Sequence, residues 1–255
     1  MRPAVLPGFM RLTDSFEGGH RTNHMYLCVG GYVTTAFGVL IDTVRDALAL
    51  PWVRLDGSPA SPSEVTAAWN IVKSHQNMKL GGGMAFRRLT TLRLTEEGVQ
   101  LAISRKLASA ETSMRARFSD WDDLGADAQL FALSMCWAIG PAWPAKFPRC
   151  AEAFGRRDYL AAAEEAHIST EGNPGIKPRN AANRVLLHNA SVVASGGLLP
   201  DRLWWPRDIF EEPLPLEDDT LDEDDATKRS AITWETVTRL PGSIANDDDE
   251  PPEAA

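Results

Sequence analysis

Ala126–Ile139 reads ADAQLFALSMCWAI, and from Leu130 to Ile139 only Ser134 interrupts the apolar residues. A helix that is apolar nearly all round belongs inside a core, so this stretch predicts the axle of a helical domain. The apolar run of residues 130–139 is about half the roughly 20 residues that a bilayer-spanning helix needs. Gly140-Pro141 closes it: the glycine can take a left-handed C-terminal conformation and the proline cannot continue the helix.

Shorter helices are predicted around this axle, over residues 143–154 and 158–166, separated by Gly155-Arg156-Arg157. Asp158 is placed to cap the second. Asn173-Pro174-Gly175 is a turn by composition. A last core helix is predicted over residues 179–189, with Ala182, Val185, Leu186 and Ala190 on its apolar side. Upstream, Thr95 caps a long helix to about Met114. Glu96 and Glu97 suit its positive end, Leu94 and Val99 sit at the hydrophobic-staple positions, and Ala102, Ile103, Leu107 and Ala110 continue the stripe.

Before that helix the pattern changes. Residues 7–17 can form a helix with Phe9, Leu12 and Phe16 on one side, stopped by Gly18-Gly19, which leaves Glu17 at its exit. Met25-Tyr26-Leu27-Cys28 and Tyr32-Val33-Thr34-Thr35 flank Gly30-Gly31, the signature of a β-hairpin. Residues 37–41 add a third short strand, with Asp42 available to cap the segment after it. Ser61-Pro62-Ser63-Glu64 is a capping box opening a helix to about His75 that buries Val65, Trp69 and Val72. Residues 76–93 read as a loop. Their Gly81-Gly82-Gly83 lacks the Lys-Ser/Thr that a phosphate loop requires.

The 44% hydrophobic and 24% charged fractions are those of a soluble globular protein, and 255 residues can bury a sizeable core. The net charge of −9 divides unevenly. Of the 26 Lys+Arg and 35 Asp+Glu, residues 214–255 hold 3 and 13, which leaves 23 and 22 for residues 1–213. The body is therefore close to neutral, with no basic excess for a nucleic-acid backbone. The acidity belongs to a tail whose composition predicts disorder apart from one short strand in SAITWETVTRL. The three cysteines, Cys28, Cys136 and Cys150, imply no disulfide framework and are consistent with a reducing compartment. MRPAVLPGFM, broken by Pro3 and Pro7, is a poor secretory signal.

A helix ending in a glutamate, a β-hairpin, a long linking helix and an all-helical lobe around one buried helix come in an order that resembles the phage-type lysozymes of glycoside hydrolase family 24 and the pesticin-like muramidases. The residues that carry the resemblance are Phe16-Glu17-Gly18, Gly31-Tyr32-Val33-Thr34, Leu94-Thr95 with Gly98-Val99, and the run from Trp121 through Gly140 to Asn189. It spans about residues 9–195, with residues 43–93 an enlarged connection. It implies an α+β, mostly α, two-lobed lysozyme-like fold within residues 1–213: a hairpin lobe over about 18–93, a linking helix over 95–114 and a helical lobe over 115–195.

The activity implied is a cofactor-free hydrolase of peptidoglycan that cuts the β-1,4 bond between N-acetylmuramic acid and N-acetylglucosamine. Such chemistry needs a carboxylic acid to protonate the leaving oxygen and a second group across the sugar ring. Glu17 takes the first role, against the plainer reading of an exposed helix-end glutamate. Thr34 falls where the family positions the attacking water, although threonine is common in any strand. Cys28 stands where the family has an aspartate. A thiol is a poorer base and, as thiolate, a better nucleophile, so Cys28 acts as base or nucleophile, or Glu17 and Thr34 carry the reaction, or activity is lost. Arg179 or Asn180, within a register open by one residue, and Asn183 fall near the family's polar positions on the far wall, where an arginine pairs with the catalytic glutamate.

Trp143, following a Gly-Pro turn, reads either as core or as a sugar platform. His20, His24 and Cys28 are spaced for zinc on one helix side, the basis of an amidase reading, but the glycines and β-prone residues among them oppose a helix. Without a secretory signal, such a lytic enzyme would be made in the cytoplasm and reach the cell wall by phage lysis or as an injected antibacterial effector. The acidic tail could then bind a delivery partner or an immunity protein, or simply solvate. A non-catalytic peptidoglycan-binding module on the same fold is the reading from another class.

Overall fold

A computed structural model describes residues 1–16, 22–171 and 176–213. Residues Met1–Glu212 form one compact unit. Glu17, the Gly18-Gly19 stop, His20, the Asn173-Pro174-Gly175 turn and the acidic tail with its expected strand lie outside the described residues.

The first helix, α1 (Val5–Phe16), begins two residues before the expected start and buries Val5, Phe9 and Leu12 completely. Strands β1 (Tyr26–Leu27), β2 (Val33–Thr35) and β3 (Val39–Leu40) form an antiparallel sheet in that order, registered Tyr26↔Thr34 and Thr35↔Val39. The β1–β2 turn is closed by Gly31 N–H donating to the Cys28 carbonyl, and Gly31 takes φ +76°, a left-handed value that favours glycine. The next turn holds Ala36 at φ 48° and Gly38 at φ 89°.

Asp42 does not cap the following helix. Thr43 caps α2 (Val44–Leu48), and the Asp42 carboxylate instead accepts from Val33 N–H and pairs with Lys73, both at 2.7 Å. Burial works to raise the Asp42 carboxyl, but the Lys73 and Val33 hydrogen bonds outweigh it and hold the group below the usual carboxylate range. That pair ties the sheet to α3 (Pro62–Ser74), which carries the expected capping box between Ser61 and Glu64 and buries Val65, Ala68 and Val72. Trp69 is only partly buried and donates its indole N–H to the Ile41 carbonyl.

Two features of this connection differ from expectation. Strand β4 (Trp52–Val53) pairs antiparallel with β5 (Arg93–Leu94), a two-residue ladder too short to leave a period in the sequence. Within residues 76–93 the chain makes a 3₁₀ turn, Gln76–Gly81, and a one-turn helix, α4 (Gly82–Ala85), pinned by the fully buried Phe86.

Helix α5 (Glu96–Arg117) runs three residues past Met114, with Thr95 accepting from Gly98 N–H at its start. Helix α6 (Ala126–Ile139) is the axle: every residue from Ala126 to Cys136 is buried. The single helix expected over 143–154 is broken into α7 (Trp143–Lys146) and α8 (Pro148–Gly155). The cause is Pro148, whose ring pushes the preceding residue out of the helical region; Phe147 sits at φ −124°, ψ 64°. Asp158 caps α9 (Tyr159–Glu165) as expected. The last helix, α10 (Lys177–Ala194), is longer at both ends and packs along α6, α9 and α1. Among the described residues the fold is thus mostly helical with two small antiparallel sheets. No helix among the described residues is long and apolar enough to cross a membrane.

Candidate functional site

Alternation along the sheet divides its residues between two faces. Leu27, Val33, Thr35, Val39 and Ile41 face the core and are all buried. The register places Tyr26, Thr34 and Leu40 on the other face, and the Cys28 N–H to Tyr32 carbonyl bond of 3.0 Å continues that pairing through Cys28. Cys28 and Thr34 therefore belong to one face of one hairpin. Cys28 is half-buried and reduced. Thr34 is 3% exposed, and its hydroxyl donates to the Tyr32 carbonyl at 2.9 Å.

The β2–β3 turn is tied to the helices by two cationic or polar groups from different elements. Trp137 of α6 donates its indole N–H to the Phe37 carbonyl at 2.9 Å, and Lys106 of α5 donates its ammonium to the Gly38 carbonyl at 2.9 Å. The Lys106 ammonium also lies 3.7 Å from the centre of the Trp137 ring, within cation–π range, and Phe9 packs on that ring. Burial, and then the charge of Arg179, push the Lys106 pKa down to about 8. Beside Lys106 a cavity of about 470 Å³ opens between β3, α2, α5 and the end of α6, with Leu40, Ala102, Arg105, Cys136 and Pro141 on its walls.

Arg179, in the first turn of α10, is 5% exposed and donates to Ser134 Oγ at 3.1 Å and to the Ser134 carbonyl at 3.4 Å. Ser134, the one polar break in the apolar run of α6, is thus the residue that receives the guanidinium. One turn further on, Asn183 is 1% exposed, its amide N–H₂ donates to the Met135 sulfur, and its Oδ1 makes no hydrogen bond. Arg179 and Asn183 share the α6-facing side of α10. Asn180 points elsewhere: its amide closes both hydrogen bonds to the Ile168 backbone, at 3.2 and 2.8 Å, and so fixes the strand of chain after α9.

Trp143 does not line a groove. It is fully buried, its indole N–H faces the Met114 sulfur, and its ring packs against Phe118, Phe131 and Phe154, so the sugar-platform role is replaced by a core role. The zinc spacing fares similarly. His24 lies 1% exposed, off any helix, with Nε2–H donating to the Gly83 carbonyl at 2.8 Å, and burial lowers its pKa. Among the described residues, His188, Asp208 and Glu211 bring three ligand-type atoms within 4.8 Å of one another. Arg184 already occupies that group, 3.3 Å from His188 Nε2 and 3.5 Å from Glu211, and supplies its countercharge.

The structure therefore brings Cys28 and Thr34 together on the sheet, and Arg179 and Asn183 together against α6. Asn180 and Trp143 stand apart from both pairs. Lys106 is missed by motif and spacing, although Ala102, Lys106 and Ala110 share one stripe, and a lysine inside an apolar stripe is a signal in itself. Comparison with protein-family models, with curated proteins and with solved structures finds no match to this chain.

Proposed function

We propose that the chain is a peptidoglycan hydrolase of the muramidase type, on a two-lobed lysozyme-like fold, delivered to the cell wall by phage lysis or as an antibacterial effector. The observation that carries this reading is the buried Arg179, anchored on Ser134 at the start of α10. It is the arginine that the lysozyme resemblance selects as partner of the catalytic carboxylate. The order of elements supports it too: α1, which ends at the residue before Glu17, then the Cys28–Thr34 hairpin, the 22-residue α5 and the buried α6.

In this mechanism Glu17 protonates the glycosidic oxygen, and the hairpin supplies the group on the opposite side of the sugar. Cys28, half-buried and without a disulfide, is the nucleophile or base there. Thr34 acts only after releasing the Tyr32 carbonyl. Lys106 and Trp137 hold the β2–β3 turn against α5 and α6 and so set the width of the groove.

Digestion of purified sacculi tests the proposal, with products identified by mass. Wild type should release soluble muropeptides with reducing muramic-acid ends, and Glu17→Gln should release none. Equal release by both would refute it. The buried, self-bonded hydroxyl of Thr34 favours a second reading, a peptidoglycan-binding module that kept the fold without turnover. That reading requires sacculus binding without release by wild type, and release regained in Cys28→Asp.

A further inference from the structure

A separate, broad cavity of about 780 Å³ opens where the chain passes from α4 to β5, and Arg87, Arg88, Thr90 and Arg93 line it with Leu55 and Met84. No acidic residue is on its wall, and among the described residues none of the three arginines has a carboxylate at ion-pair distance. The Arg93 guanidinium donates to the Thr90, Leu92 and Arg87 carbonyls at 2.7–2.8 Å. Three bonds out of five guanidinium N–H groups leave two uncommitted. This staple holds the backbone on which Arg87 and Arg88 stand exposed.

Thr90 gives an independent sign. It is 8% exposed, yet its hydroxyl has no hydrogen-bond partner. A buried polar group left in that state costs free energy that a ligand oxygen can recover once the side chain turns to it. The charges point the same way. Burial and then the nearby Arg87 charge lower the Arg93 pKa, and both arginines also act, after burial, to lower that of His24. Positive groups crowd here with no counter-ion among the described residues.

We propose that this cavity binds a phosphate group, with Arg87 and Arg88 as its main partners and the spare Arg93 N–H groups and the Thr90 hydroxyl completing the shell. Three guanidinium forks and a hydroxyl offer more donors than the two oxygens of a carboxylate can accept, whereas a phosphate presents three or four oxygens. Leu55 and Met84, exposed at 68% and 54%, give the wall an apolar side that suits a phosphate carried on a larger body, such as a lipid headgroup, as well as the free ion. The site is independent of the proposed hydrolase chemistry.

The full chain is tested by calorimetric titration with inorganic phosphate at fixed ionic strength, and by co-sedimentation with phosphatidylcholine vesicles with and without phosphatidylglycerol. Arg87→Gln/Arg88→Gln changes two exposed side chains and spares the Arg93 staple, and Thr90→Val keeps the shape at position 90. The expected result is saturable binding that weakens about tenfold or more in the double variant and a few-fold in Thr90→Val, with circular-dichroism melting unchanged in the first and unchanged or raised in the second. Binding of the free ion identifies a soluble phosphate source. Binding of phosphatidylglycerol vesicles alone, lost in the double variant, identifies a lipid headgroup and supports the site equally. Equal binding by wild type and double variant, or no binding of either probe by wild type, overturns it.

Discussion

Removing one buried carboxylate should loosen the end of the folded unit. Asp127, in the first turn of α6 and 1% exposed, accepts from Trp204 N–H and Trp205 N–H at 3.0 Å and from the Asn189 amide at 3.1 Å. Asn189 completes the clamp by donating to the Arg207 carbonyl and accepting from Ile209 N–H. In Asp127→Ala the two tryptophan amides lose their acceptor, while the Asn189 amide keeps one. At about 1–3 kcal/mol for each stranded buried donor, the loss is about 2–6 kcal/mol. The segment can escape that cost only by peeling away, which exposes Trp204 and Ile209, now 9% and 3% exposed. At about 1.5–3 kcal/mol for each large side chain, peeling costs a similar amount. Both routes converge on about 3 kcal/mol. Urea unfolding at pH 4, where the folded carboxyl keeps its proton and no cost of burying a charge offsets the clamp, followed by circular dichroism and tryptophan emission, measures it. A loss below about 1 kcal/mol with unshifted emission would refute the clamp as the anchor of this segment.

The same residue predicts a pH dependence. Burial outweighs the donors and pushes the Asp127 pKa up to about 6 from 3.8, so the folded state holds the proton more tightly than the unfolded chain. Its contribution to stability is then fullest below pH 3.8 and is lost as pH rises through 6. Relative to Asp127→Asn, wild type should lose up to about 3 kcal/mol across that window, and unfolding midpoints that stay parallel from pH 4 to 7 would contradict this. Trp143→Ala should destabilise by about 3–5 kcal/mol through the cavity left among Phe118, Phe131 and Phe154, while sacculus binding by the folded fraction is unchanged.

The legible part of the sequence was whatever a local period or cap announces. The all-apolar face of α6, the Ser61–Glu64 capping box, the Thr95 and Asp158 caps and the glycine turn at Gly31 each depend on neighbours within a few residues. The Phe147-Pro148 break was equally local, and the proline rule alone would have found it. The β4–β5 ladder left no trace because two residues cannot show alternation. The Asp127 clamp joins residues 62 and 77 apart, and the aromatic cluster that buries Trp143 draws Phe118, Phe131 and Phe154 from three segments. No one-dimensional pattern encodes such meetings. On the site side, the sequence separated Arg179 from Asn180 only to within a residue. The helical register of α10 decides between them, turning Arg179 and Asn183 toward Ser134 and Met135 and sending Asn180 to Ile168.

Asn183 puts the functional reading at risk in a way that stability alone cannot. Its Oδ1 is buried without a partner and its amide meets only a thioether, a weak acceptor, so the side chain is held where it contributes little to folding. An alanine would remove the unsatisfied oxygen and leave only a small space behind. Asn183→Ala should therefore be neutral or more stable by up to about 1 kcal/mol, the relieved oxygen offsetting the small loss of packing. A buried polar group that folding does not need is the kind of local inconsistency that functional sites retain. If it positions groups beside Arg179 for chemistry, muropeptide release falls as stability holds or rises. A variant destabilised by more than about 2 kcal/mol would assign Asn183 to the architecture of α6 and α10, and full release by a stabilised variant would remove it from the site.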